Sequence, residues 1–97
     1  MKSLQDALYN WLTIYVVAQA RPDDMAAQET AFFFYEILRN DFQITGLEVN
    51  KDEAGEMYIV HYERNGEKQA ARFPVELIDV MLKQIENNPE KYRNYLS

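Results

Sequence analysis

Leu4, Ala7, Leu8, Trp11, Ile14, Tyr15 and Ala18 recur three and four positions apart, the spacing of one face of a helix. Ser3 followed by Asp6 is a capping-box-like start for it. Its second half, Thr13 to Val17, is β-branched and aromatic, so propensity alone favours a strand there. The unbroken stripe decides for a helix. Arg21-Pro22-Asp23-Asp24 then ends it: Arg21 suits a helix C-terminus, Pro22 biases its predecessor away from αR, and Asp23 or Asp24 caps the next helix.

The spacing predicts a second helix from about Asp24 to Asp41, antiparallel to the first across a short connection. It contains Phe32, Phe33, Phe34 and Tyr35 in succession, which a helix fans around most of its circumference. Ala27, Ala31, Phe34, Tyr35, Leu38 and Phe42 share one arc, and Ala26, Phe33 and Ile37 widen it. Phe32 is left over, among Gln28, Glu36 and Arg39 with Met25 as its apolar company.

The middle of the chain reads as an antiparallel meander. Asn65-Gly66 is a two-residue type I′ hairpin signal that pairs Arg64 with Glu67. Tyr62 then faces Gln69, Val60 faces Ala71 and Tyr58 faces Phe73. Asp52 to Gly55, read as the preceding loop, pairs Lys51 with Glu56, sets Val49 opposite Tyr58 and sets Leu47 opposite Val60. Both turns predict the same apolar face, made of Leu47, Val49, Tyr58, Val60, Tyr62, Ala71 and Phe73.

Pro74 near a first helical position opens a third helix, with Val75, Leu77, Ile78, Met81, Leu82 and Ile85 on one side and an Asp79–Lys83 pair on the wet side. Pro89 can restart a short terminal helix from which Tyr92, Tyr95 and Leu96 project together. The expected fold is therefore α+β, ordered ααβββα, as one globular domain over residues 1–97 with its helices on a single sheet face.

Charge narrows the functions this fold would carry. The net charge is −6, and residues 1–56 hold four Lys/Arg against ten Asp/Glu, whereas residues 57–97 hold six against six. Such a balance repels nucleic-acid phosphates and anionic lipid, so neither nucleic acid nor membrane is expected as a direct partner. The longest uncharged stretch, Ala7 to Ala20, is too short to span a bilayer and contains Asn10, Thr13 and Gln19. Zero cysteines exclude disulfides and a thiolate site and fit a reducing compartment, so a cytoplasmic location is expected.

The candidates for chemistry are few. His61, the single histidine, falls on the second sheet face between Gly46 and Ala70, where small neighbours leave space for a ligand. No nucleophile is placed for it in sequence, and one histidine without cysteine makes zinc improbable. Asp52-Glu53-Ala54-Gly55-Glu56 lacks the alternating ligands of an EF-hand loop, and Gly46, Gly55 and Gly66 are too dispersed for a phosphate cradle. The sheet rings stand where helices would cover them, unlike the open basic face of an RNA-binding sheet. No cofactor is expected, and no catalysis.

Aromatics make up 13% of the chain, more than one small core readily absorbs. The expectation is a non-catalytic interaction or regulatory module, a homodimer or a binder of another protein, with Met25, Phe32, Ile59, Tyr92, Tyr95 and Leu96 as interface candidates. One alternative is an acidic inhibitor covering a basic nucleic-acid-binding surface of a partner protein. Another is a minor small-molecule site near His61.

Overall fold

The computed structural model describes residues 3–87. Ser3 caps the first helix, α1 (Leu4–Ala20), its Oγ accepting the Asp6 amide at 3.1 Å. The β-branched half stays helical because Val16 and Val17 are buried there, as are Leu8, Trp11 and Leu12 earlier in the helix. Burial outweighs propensity. Thr13 returns its hydroxyl to the Tyr9 carbonyl at 2.8 Å instead of competing for a backbone turn.

Asp24 begins α2 (Met25–Phe42) as its N-cap, Oδ1 accepting the Ala27 amide at 3.0 Å. Its other oxygen faces Arg21 Nε at 3.4 Å, and the residue is 1% exposed, so the cap is also a partnered charge inside the hairpin. Gln28 Nε2 donates to the Ala18 carbonyl at 2.9 Å, stitching the two helices together. The helix ends on Gln43 in the left-handed region (φ 55°), whose amide reaches the Leu38 carbonyl.

Three antiparallel strands come next, β1 (Ile44–Lys51), β2 (Met57–Arg64) and β3 (Glu67–Pro74), in the order β1-β2-β3. The β2–β3 pairing obeys the hairpin reading throughout, from Arg64 with Glu67 to Tyr58 with Phe73. Asn65 and Gly66 both take positive φ, as a type I′ turn requires.

The β1–β2 pairing differs from the expectation by two positions. Val49 lies opposite Val60 and Lys51 opposite Tyr58, so Leu47 does not face Val60, and His61 sits between Glu48 and Ala70 instead of between Gly46 and Ala70. The cause is Asp52. Its backbone amide donates to the Met57 carbonyl at 3.0 Å and its Oδ1 accepts the Glu56 and Met57 amides at 2.8 and 3.2 Å, which moves the loop one residue along. These amides, Met57 first, hold the Asp52 carboxyl below its usual range. A bulge between Thr45 and Glu48, with Gly46 at φ 62°, adds a second irregularity. A slip of two preserves side-chain parity, so the apolar face survives: Tyr58, Val60, Tyr62 and Phe73 are buried, and Leu47, Val49 and Ala71 pack against them.

The C-terminal helix is interrupted at Asp79, giving α3 (Val75–Ile78) and α4 (Val80–Asn87). Backbone bonds from Asp79 to Val75 and from Lys83 to Asp79 keep the two pieces in line. Asp79 is not on the wet side paired with Lys83. It is half-buried, and its Oδ1 accepts the Tyr58 hydroxyl at 2.8 Å. Leu8, Leu12, Leu38, Ile78 and Val60 are nearly or fully inaccessible where the helices cover the sheet, completing an ααβββα arrangement. Ile44, 1% exposed, joins this core from the start of β1.

Candidate interaction surface

Helix α2 lies at the margin of the helical layer, with α1 along its length and β1 near its end. A helix with one long neighbour buries a narrow arc, and here only Ala27 and Leu38 are fully enclosed. Phe34 and Tyr35 are half-buried. Phe32 is 62% exposed, as expected, but Phe33 is 60% exposed as well, against its assignment to the buried arc. Met25, at the helix start, is also exposed. Phe33 meets Phe34 edge-on with centroids 5.6 Å apart, and Phe32 leans toward Tyr35 at 6.5 Å.

Phe34 in turn lines a groove of about 410 Å³. Tyr9, Thr13 and Ile14 of α1 form part of it, Thr30 and Phe34 come from α2, and Leu77, Val80 and Met81 come from α3 and α4. No lining side chain is charged. Leu77 and Met81 were expected on the buried side of a third helix. They are 49% and 42% exposed, because α3 and α4 enclose only Ile78 and Ile85 fully against the rest of the protein. Val80, 45% exposed, extends the same surface. A signal for this was present in sequence: the apolar positions from Val75 to Ile85 cover more of the helix circumference than one neighbour can shield.

The outer sheet face has a different character. Ile59 is half-buried between Asn50 and Arg72, not between Glu48 and Arg72 as the register expected from the sequence required. His61 is exposed and borders a shallow depression of about 420 Å³ with Gly46, Glu48, Asn50, Glu63 and Lys68. The mixture of carboxylates, amide and ammonium makes this a polar hollow. Among the described residues no hydrogen bond reaches the His61 ring, and no group of three or more His, Cys, Asp or Glu is placed to hold a metal ion. Tyr92, Tyr95 and Leu96 lie outside the described residues.

The two surfaces therefore offer different chemistry: the hollow presents separate polar groups of both signs, and the helical side presents contiguous rings and aliphatic chains. Among the described residues no helix is long and apolar enough to cross a membrane. Comparison with protein-family models, curated proteins and solved structures gives no match to this chain.

Proposed function

We propose that this chain is a non-catalytic protein–protein interaction module that self-associates through its helical side. The observation that supports this most is the exposure of both Phe32 and Phe33, the latter continuous through Phe34 with an uncharged groove. A single exposed ring needs no explanation. Phe33 and Phe34 together with Leu77, Val80 and Met81 leave apolar surface on the order of 400 Å², as large as the largest patch on an ordinary monomer.

The acidic-inhibitor reading has less support. Acidic groups on the outer sheet face, Glu48 and Glu63, are interspersed with Lys68 and Arg72 instead of forming one extended anionic surface. Light scattering of the full chain at tens of micromolar tests the proposal. A dimer mass supports it, and a monomer mass at every concentration rejects it.

A further inference from the structure

We propose that Asn65 is a deamidation site gated by the β2–β3 hairpin, protected while the turn is closed and converted to isoaspartate once it opens. The site is independent of the self-association proposed above.

Asn65 is the one asparagine in the chain that precedes a glycine. A residue without a Cβ lets its backbone nitrogen approach the preceding side chain closely. Asn65 and Gly66 are both exposed, and among the described residues no hydrogen bond holds the Asn65 side-chain amide. Apart from its chain neighbours, no atom lies within 4 Å of where a Cβ on Gly66 would stand. Packing does not shield this amide, so the turn itself is what protects it.

The reaction closes a five-membered imide. The Gly66 nitrogen gives its proton to solvent hydroxide and forms a bond to Asn65 Cγ. The side-chain nitrogen takes a proton from water and leaves as ammonia. Water then opens the ring at one of its two carbonyls. Attack at Cγ leaves aspartate, whereas attack at the main-chain carbonyl breaks its bond to the Gly66 nitrogen and leaves isoaspartate, with the chain running through Cβ and Cγ.

Ring closure needs the Gly66 nitrogen on the same side of Asn65 as Cβ. The closed hairpin prevents this: Asn65 and Gly66 have φ of 56° and 78°, and a type I′ turn holds ψ of its first central residue near about +30°, which turns the nitrogen away from Cβ. Rotating Asn65 into the reactive geometry swings Gly66 out of the turn and parts Arg64 from Glu67, the pair that closes the hairpin. Reaction therefore follows opening. Isoaspartate then adds a methylene to the main chain of a two-residue turn that sets every pair from Arg64 with Glu67 to Tyr58 with Phe73. A chain that has opened and reacted is marked, and the native register is lost to it.

The test is peptide mapping by mass spectrometry of the full chain held at neutral pH, folded in buffer and unfolded in urea, with enzymatic isoaspartate methylation to distinguish the two products. Asn65 should be converted in urea, and conversion in the folded chain should be slower by at least roughly tenfold, in proportion to the fraction of time the hairpin is open. Equal rates in the two conditions overturn the gate. An Asn65 that stays intact in urea while other asparagines react overturns the site. The isoaspartate fraction, separated and returned to buffer, should lose hydrogen-exchange protection along β2 and β3, and the aspartate fraction should keep it. Full protection in the isoaspartate fraction overturns the loss of register.

Discussion

The Tyr58 hydroxyl donates to Asp79 Oδ1 at 2.8 Å, joining the central strand to the interruption between α3 and α4. This bond, with the Val75 amide on the Glu56 carbonyl at 2.8 Å and Ile78 in the core, holds the C-terminal helical pieces, which carry Leu77, Val80 and Met81, against the sheet. The Lys51 ammonium lies 5.4 Å from the Tyr58 ring centroid, so β1 adds a cation–π contact to the same residue.

Tyr58→Phe should lower stability by about 1–2 kcal/mol in urea unfolding, since it leaves a half-buried carboxylate without its donor. Burial and the Asp79 carboxylate both push the Tyr58 phenol above its ordinary value of 10.0. The folded state therefore favours the neutral phenol. Its contribution is complete below pH 10 and declines as pH rises toward the elevated folded value. The stability advantage of the native chain over Tyr58→Phe should shrink above that pH, and unfolding curves measured across it check the sign.

Asp52→Ala should loosen the β1–β2 loop, whereas Asp52→Asn, which keeps a side-chain acceptor, should loosen it less. Hydrogen exchange at the Glu56 and Met57 amides reads this directly, because both donate to Asp52 Oδ1. The folded state holds this carboxyl below its ordinary value of 3.8. Its stabilising effect is thus present above pH 3.8 and is lost as the pH falls through the depressed folded value. Protection of those two amides should fade in that acid range in the native chain and be insensitive to it in Asp52→Ala.

Asp24→Ala should cost about 1–2 kcal/mol, by removing the α2 cap and leaving the largely buried Arg21 side chain without its carboxylate. Asp24→Ser should recover part of that loss, since it restores an N-cap acceptor but not the charge. Chemical unfolding of the three proteins distinguishes the two contributions.

Substitutions on the exposed helical side should separate stability from association. Leu12→Ala, at a fully buried site, is expected to cost about 2–5 kcal/mol. Phe32→Ser and Phe33→Ser should change unfolding free energy by less than about 0.5 kcal/mol when the protein is dilute enough to be monomeric. Circular dichroism melts at low micromolar concentration provide the comparison.

The β2–β3 hairpin was legible residue by residue, because Asn65-Gly66 closes in one geometry and fixes every later pair. The β1 register was not. It depends on the Asp52 carboxylate accepting two amides and on a bulge at Gly46, neither of which alternation of polar and apolar residues records. Parity survived a slip of two, so the buried face of the sheet was read correctly despite wrong partners.

Phe32 and Phe33 show the corresponding limit for helices. A helical wheel identified Phe32 as surplus but put Phe33 inside, since it ranks positions by angle without knowing how many neighbours the helix will have. With α1 as its one long neighbour, α2 had room for Phe34 and Tyr35 and not for Phe33. Asp79 was misplaced for a related reason. Its polar character suggested solvent, whereas Tyr58 supplies a donor from a distant strand.

Sedimentation equilibrium of the full native chain and of the double variant Phe32→Ser, Phe33→Ser, from low to high micromolar concentration, addresses the central proposal most directly. The native chain should approach twice its monomer mass as concentration rises, and the double variant should remain monomeric while retaining its fold. A native chain that stays monomeric throughout, or a double variant that dimerises as tightly as the native chain, would contradict it.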